Sequence, residues 1–145
     1  MPSDPLVGTW KLLSWRNETS DGTVTYPMGE DAVGFLVYSN DGHVSAHLAK
    51  RDRPPFASGD MVGGTEAENT AAMTTHISYV GTYEFQGDVV VHHAKLSSFP
   101  NWSGTDQRRR AVFEGNTLLL VGDPMPFHGT MIVAYALWQR AGAGD

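Results

Sequence analysis

The chain has 145 residues, a formal net charge of −6 and no cysteine. The missing thiols exclude disulfides and thiolate chemistry, and the negative charge argues against nucleic acid as a partner. Hydrophobic residues make up 41% of the chain, enough to bury one core, so we expect a single domain over residues 1–145. No signal-peptide pattern is found, and no apolar run reaches the roughly 20 residues of a membrane span. We therefore expect a cytoplasmic protein without membrane contact.

Strand patterns dominate the chain. Runs of β-branched, aromatic and aliphatic residues, separated by turn residues, predict strands at hairpin spacing. They cover Thr9–Arg16, Thr23–Tyr26, Val33–Ser39, His43–Ala49, Val80–Phe85, Val89–Leu96, Gln107–Phe113, Thr117–Val121 and Thr130–Arg140. Three turns, at Asn40–Gly42, Gln86–Asp88 and Glu114–Asn116, join neighbouring strands as hairpins. The spacing favours an all-β fold, a barrel or a sandwich, over alternating strands and helices.

Two segments interrupt this pattern between the fourth and fifth strands. Lys50–Gly64 is rich in proline and glycine and predicts a long loop, whereas Thr65–Ser78 lacks both residue types. Thr65 and Glu68 have the spacing of a capping box, so we predict one helix there. Phe99–Gly104 is a second long connection, unusually aromatic for a loop. Because long irregular segments are often functional, we expect the loop and the helix at the opening of a cavity. Four apolar side chains are expected to line that entrance: Phe56, Met61, Met73 and Trp102.

The two ends of the chain carry a matched pair of residues. Gly8-Thr9-Trp10 opens the first strand, and Arg140 closes the last one. This placement resembles the way in which lipocalin-type barrels close one end, with the guanidinium lying over the indole. It predicts a closed antiparallel barrel of about eight to ten strands around a central cavity. The alternative is that Trp10 is an ordinary core aromatic and Arg140 a solvated terminal charge.

Strand alternation assigns side chains of the second and third hairpins to an inner and an outer face. In the second hairpin, the apolar face contains Tyr79, Gly81, Tyr83, Phe85, Val90, His92, Ala94 and Leu96. In the third hairpin, the corresponding face contains Gln107, Arg109, Ala111, Phe113, Leu118 and Leu120. His93, Arg108 and Arg110 then point outward, so the run of three arginines does not form one basic patch.

The inner faces combine apolar walls with a few polar groups, which is the composition of a small-molecule pocket. We take His92, Arg109, Tyr83 and Gln107 as candidate catalytic residues, because such side chains move protons or stabilise developing charge. The candidate substrate-binding residues are apolar or aromatic: Tyr79, Phe85, Phe113, Leu118, Met73, Trp102 and Phe56.

Each of these assignments has a structural alternative. His92 is then a core residue whose hydrogen bonds are satisfied, and Arg109 pairs with an acid such as Glu66 or Glu68. Tyr79 and Tyr83 are ordinary wall residues in that case. Metal-ligand spacing is absent, because His43 and His47 share a strand face but lie about 13 Å apart. We expect no metal and no cofactor.

Longer stretches of the chain resemble the bacterial and fungal lipocalin-like domain family. They are Gly8–Ser14, Tyr38–Ala46, Arg53–Phe56, Tyr79–Glu84, His92–His93, and Phe99–Gly104 with Gln107 and Arg109. The resemblance implies a calycin-like barrel. It implies little about activity, although some members belong to natural-product pathways and related small barrels act there as cyclases or isomerases without a cofactor.

Two function classes follow for a barrel whose partner is a small hydrophobic metabolite. In the first, the barrel is an enzyme that folds a polyketide-like substrate into a reactive shape for cyclisation or isomerisation. Arg109, Gln107 and a tyrosine hydroxyl would bind a carbonyl, and His92 would move a proton. In the second, the barrel only binds and carries its ligand. We favour the enzyme, because carriers are most useful between aqueous compartments and no export signal is found. A protein–protein module is a third alternative, and a homodimer is left open.

Overall fold

In the computed structural model, residues 4–144 are described. They form ten β-strands, one α-helix and a single-turn 3₁₀ helix at Pro100–Trp102. The strands are β1 (Gly8–Glu18), β2 (Val24–Thr25), β3 (Val33–Tyr38), β4 (His43–Ala49), β5 (His76–Phe85), β6 (Val89–Ser97), β7 (Asp106–Glu114), β8 (Thr117–Gly122), β9 (Met125–Phe127) and β10 (Thr130–Arg140). The helix, α1, spans Glu66–Thr74 and lies between β4 and β5.

Eight of these strands close into an antiparallel barrel. Neighbours follow the order β1-β3-β4-β5-β6-β7-β8-β10, and β10 returns to pair with β1, where Trp10 lies opposite Arg140. The short strands β2 and β9 pair with β1 and β10 outside this ring. The predicted fold, a closed antiparallel barrel with one short helix, is confirmed, and so are the three predicted hairpins.

The helix begins where the sequence predicts but ends earlier. Thr65 is the N-cap, and its side chain and that of Glu68 form both hydrogen bonds of a capping box. The predicted helix ran on to Ser78, whereas α1 ends at Thr74 and β5 begins at His76. His76 pairs with Ala49, so hydrogen bonding to the free edge of β4 replaces the last helical turn.

Two β-bulges change which side chains face the interior. In β1, Leu12 lies opposite Trp138 and Ser14 opposite Leu137, so Leu13 is an extra residue. In β6, the partners of Val80 and Gly81 are Leu96 and Ala94, so Lys95 is extra. A methyl group on Gly81 would lie 1.9 Å from the His93 carbonyl oxygen, and only glycine allows this approach.

The second bulge overturns one prediction. Simple alternation placed Leu96 on the inner face, but beyond the bulge the side chain is 68% exposed. Val80, its partner across the ladder, also faces outward. The first bulge has the opposite consequence, because it brings Trp15 and Asn17 into the interior.

Trp10 and Arg140 close one end of the barrel. The Arg140 guanidinium lies 4.2 Å above the centre of the Trp10 ring, which confirms the predicted contact. The guanidinium also donates to the carbonyl oxygens of Pro5 and Val7, at 2.6 and 2.9 Å. A methyl group on Gly8 would lie 2.7 Å from the guanidinium, so this glycine leaves room for it.

The core at this closed end is dense. Leu6 and Leu118 are fully buried, and Trp10 donates its indole hydrogen to the Leu6 carbonyl oxygen at 2.9 Å. The Phe113 ring lies 6.4 Å from that of Trp10 and 6.1 Å from that of Phe85. Space inside the barrel is therefore found towards the opposite end.

Candidate functional site

A cavity of about 420 Å³ occupies the half of the barrel away from Trp10. It reaches the C-terminal end of β1, at Asn17, and the N-terminal end of β5, at His76. Most of its wall is apolar or aromatic, as in small-molecule sites generally. The aromatic part consists of Trp15, Tyr79, Phe99, Trp102, Phe127 and Trp138, and small side chains at Ala46, Ala134 and Ala136 leave the space open.

The mouth of the cavity is formed by non-strand segments. Met73 and Thr74 come from α1, Phe99 and Trp102 from the segment around the 3₁₀ helix, and His128 from the turn after β9. None of the residues of α1 is buried, so the helix lies at the mouth as a thin cover.

The Lys50–Gly64 loop braces this cover from outside. Arg53 donates to the Ala72 carbonyl oxygen at 3.1 Å and to Thr75 Oγ1 at 3.0 Å. Glu68 accepts a hydrogen bond from the backbone of Ala57 at 2.8 Å. The helix therefore lies at the cavity as predicted, whereas Met61, on the loop, is 90% exposed and lines nothing.

A buried hydrogen-bond chain joins two tyrosines through one histidine. Tyr38 Oη lies 2.6 Å from His92 Nε2, and Tyr79 Oη lies 2.5 Å from His92 Nδ1. The histidine is 1% exposed, and both it and Tyr79 line the cavity. A neutral imidazole has one donor and one acceptor nitrogen, so one tyrosine donates to the ring and the other accepts from it.

Burial sets the protonation states of this chain. It lowers the pKa of His92 from 6.5 to about 3, with a further contribution from the nearby Arg109 guanidinium. Burial also raises the pKa of Tyr38 and of Tyr79, and the Arg109 charge partly offsets both increases. At neutral pH all three groups are uncharged, and Arg109 is the charged group beside them.

Arg109 enters the cavity from β7. Its guanidinium donates to the Gln107 side-chain oxygen at 3.4 Å and to the Arg108 carbonyl oxygen at 3.1 Å. Within residues 4–144 no carboxylate lies within ion-pair distance of it, and Glu66 and Glu68 do not pair with it. The cavity consequently contains a positive charge whose partners are neutral oxygens.

The predicted site residues separate into two groups. His92, Arg109, Tyr79, Met73 and Trp102 meet at the cavity. The others do not line it: Tyr83, Gln107, Phe85, Phe113, Leu118 and Phe56.

The second group has other partners. Tyr83 donates to Asp4 Oδ2 at 2.7 Å, and this bond and burial raise the pKa of its hydroxyl. Gln107 donates to Thr105 Oγ1 at 2.9 Å and supports Arg109 from outside the cavity. Phe56 lies against Gly64, at the start of the helix.

Sequence reasoning missed several residues of the site. In the sequence, Tyr38 stands out only as part of a stretch that resembles the family, although it completes the hydrogen-bond chain through His92. Trp15 and Asn17 lie beyond the bulge in β1, so alternation counted from Trp10 assigns them the wrong face. A strongly apolar Leu12-Leu13 pair within the strand was the available sign of an extra residue.

No cluster of three histidine or acidic ligands is found among residues 4–144. In the same part of the chain, no helix has the length and apolar character needed to cross a bilayer.

Comparison with known proteins identifies one curated relative and several solved structures. The chain is similar to the 4'-hydroxy-3'-methoxypropiophenone carrier protein of Aspergillus oryzae, with 26% identity over 106 residues that cover 67% of this chain and 96% of the relative. It is also similar to a lipocalin-like protein from Bacteroides uniformis, with a TM-score of 0.49, 14% identity, and coverage of 94% and 98% of the two chains. A structure described as the REP1-NXSQ fatty acid transporter has a TM-score of 0.43 and 14% identity, and the coverage is 94% of this chain and 96% of that one.

The family assignment rests on the sequence match. The family model for the lipocalin-like domain matches residues 7–141, which is almost the whole chain. The matched range begins just before the Gly8-Thr9-Trp10 motif and ends just after Arg140, the two elements that close the barrel. The chain belongs to the lipocalin-like domain family.

Proposed function

We propose that this protein binds and carries a small, mostly apolar metabolite in its barrel cavity. The observation that carries the proposal is the cavity itself, with its apolar and aromatic wall and a volume of about 420 Å³. Small-molecule sites span roughly 300–1,000 Å³ and combine such walls with a few polar groups that orient the ligand. Here the polar groups include Arg109 and Tyr79, beside His92.

The chemistry of the polar groups favours binding over proton transfer. Both ring nitrogens of His92 are bonded to tyrosine hydroxyls, and its pKa of about 3 keeps it neutral and weakly basic. A general base works best with a pKa near the operating pH. The curated relative is named as a carrier of an aromatic ketone, and a ligand of similar size and polarity suits this cavity.

A second candidate function is a cofactor-free cyclisation or isomerisation of a polyketide-like metabolite. The observation that favours it is the chain from Tyr79 through His92 to Tyr38, which lies beside the Arg109 charge. Arg109 would stabilise negative charge that develops on a substrate oxygen, and Tyr79 would exchange a proton with the substrate. His92 and Tyr38 would act behind Tyr79, because the imidazole is already fully bonded.

Titration of the purified protein with 4'-hydroxy-3'-methoxypropiophenone tests both functions. Trp15, Trp102 and Trp138 line the cavity, so we expect saturable quenching of tryptophan fluorescence. Mass spectrometry of the recovered ligand then distinguishes the two functions, because a carrier returns it unchanged. Related polyketide-like ketones are examined in the same way, and a changed product would support the enzyme.

A pair of alanine variants provides the control. Ala136 lines the cavity and Ala67 is exposed on α1. We expect Ala136→Leu to weaken binding at least tenfold by occupying ligand space, and Ala67→Leu to leave it unchanged. Absence of saturable binding to this ketone and to other aromatic compounds of its size would contradict the proposed function.

Cellular location and oligomeric state stay predictions. We propose that the protein acts in the cytoplasm, and cell fractionation tests this. A homodimer is tested by light scattering of the purified protein with and without ligand.

A further inference from the structure

Asn17 presents an unused hydrogen-bond donor to the cavity. The residue is 1% exposed and lines the cavity wall. Its side-chain oxygen accepts a hydrogen bond from Trp15 Nε1 at 3.0 Å, which determines the orientation of the amide. The amide nitrogen has no hydrogen-bond partner within residues 4–144. Buried donors without partners are rare, and each calls for an explanation such as a ligand atom.

Trp138 shows the same feature deeper in the barrel. It is 2% exposed, lines the cavity, and its indole nitrogen has no partner in the described part of the chain. Its neighbours in the ladder are Leu118 and Leu12, neither of which can accept a side-chain hydrogen bond. Two buried N–H groups therefore face one cavity without an acceptor, and His76 Nε2, the third buried side-chain nitrogen without a partner among the described residues, lines the same cavity.

Arg109 completes a set of donors. It has five N–H donors, of which the Gln107 and Arg108 oxygens use only part. None of the described residues that line the cavity is an aspartate or a glutamate. The polar surface offered to a ligand is therefore rich in donors and carries a positive charge.

Strand register places Arg109 and Asn17 in one cross-strand row. Arg109 in β7 pairs with Gly122 in β8, and Asn17 in β1 pairs with Ala134 in β10. Val121 pairs with Tyr135, so the next residues along the antiparallel ladder, Gly122 and Ala134, are neighbours across it. The two donors are thus separated by two positions with small side chains, about 15 Å along the wall at ordinary strand spacing. Both side chains point inward, so the ligand space between them is shorter than this.

We propose that the ligand is a compact oxygenated aromatic molecule with two hydrogen-bond-accepting oxygens, one bound by Arg109 and the other by Asn17. This inference rests on the proposed function and specifies its ligand class. The rings of Trp15, Trp102 and Phe127 provide aromatic walls for such a molecule. The Trp138 N–H is a further donor for an oxygen that reaches the inner end. A fatty acid, which has a single polar group, leaves at least one of the two main donors unpaired.

Three compounds with the same carbon skeleton test the inference: propylbenzene, propiophenone and para-hydroxypropiophenone. For the unmodified protein, we expect the dissociation constant from calorimetry to fall about three- to tenfold with each added oxygen, as for single hydrogen bonds. Arg109→Met and Asn17→Leu should each remove one of these steps. Propylbenzene binding should change less than twofold in both variants, which shows that the cavity is intact.

The control variant is Arg108→Met. Arg108 precedes Arg109 in β7, but its side chain lies on the outer face of the barrel, where it pairs with Asp123. This change should therefore leave the binding of all three compounds unaltered. Arg109 is only partly buried, and its variant therefore decides the inference even where Asn17→Leu fails to fold.

Two outcomes would overturn the inference while the proposed function stands. One is propylbenzene binding as tightly as the two ketones, and the other is tighter binding of dodecanoate than of para-hydroxypropiophenone. If none of these compounds binds, and the ligand of the curated relative does not bind either, the proposed function fails and this inference fails with it.

Discussion

The buried, neutral state of His92 predicts an acid-sensitive stability that one substitution should remove. The pKa of His92 in the folded protein is about 3, below the ordinary value of 6.5 that applies to the unfolded chain. Between these two values the unfolded chain binds one more proton than the folded protein at this site. Stability therefore falls as the pH falls from 6.5 towards 3. Because the side chain is 1% exposed, solvent screening of this effect is small.

The magnitude follows from the two pKa values. Between pH 7.5 and pH 4.5 this single group removes about 2–3 kcal/mol from the free energy of unfolding. The comparison protein is His92→Gln, because glutamine offers one donor and one acceptor to Tyr38 and Tyr79 but does not titrate. Urea denaturation of both proteins across this pH range gives the difference between their free energies of unfolding. The contributions of all other titrating groups cancel in this difference. We expect the free energy of unfolding of the unmodified protein to fall by about 2–3 kcal/mol more than that of the variant. If the free energies of unfolding of the two proteins depended on pH in the same way, the assignment of His92 as a neutral, fully bonded core residue would be refuted.

Three further predictions concern the closed end of the barrel, and chemical denaturation at neutral pH checks each of them. Trp10→Ala should cost about 3–5 kcal/mol, as for other buried large aromatics, and a loss below about 0.5 kcal/mol would contradict its role in closing the barrel. Gly8→Ala should cost about 2 kcal/mol, because its φ of 132° is strained for alanine and the new methyl group meets Arg140; an unchanged midpoint would contradict this. Tyr83→Phe removes the hydrogen bond to Asp4 and should cost about 1 kcal/mol, with ligand binding unaltered.

Sequence reasoning could determine the faces of the barrel strands but not the height of a side chain along the barrel. Alternation in the second and third hairpins correctly placed His92 and Arg109 inside. The same reasoning also placed Phe85 and Phe113 inside, yet they pack near Trp10 at the closed end, away from the cavity. Height depends on the stagger between neighbouring strands, which accumulates around the whole barrel and is not encoded in any single hairpin.

The bulges limited the prediction in a different way. A bulge adds one residue without a change of strand direction, so the alternation pattern loses its phase beyond it. In β6 this error affected only Leu96, at the end of the strand. In β1 it hid Asn17, whose amide nitrogen has no partner among the described residues and is the observation on which the proposed ligand class depends most. The residues that alternation cannot reach are therefore among those that we propose to bind the ligand.

Deletion of a single residue tests this account of the first bulge. Leu13 is the unpaired residue between Leu12 and Ser14, so its removal leaves a regular ladder in which Trp15 and Asn17 keep their inward orientation. Val37 lies in β3, where the register to both neighbouring strands is unbroken, and its removal turns Tyr38, the last residue of that strand, to the opposite face. We therefore expect the Leu13 deletion to fold and to bind the same aromatic ketones, measured by circular dichroism and calorimetry. The Val37 deletion should fail to fold, because it turns the buried Tyr38 out of the core and away from His92. Equal damage from both deletions would show that the bulge supports the barrel in a way that side-chain orientation does not explain.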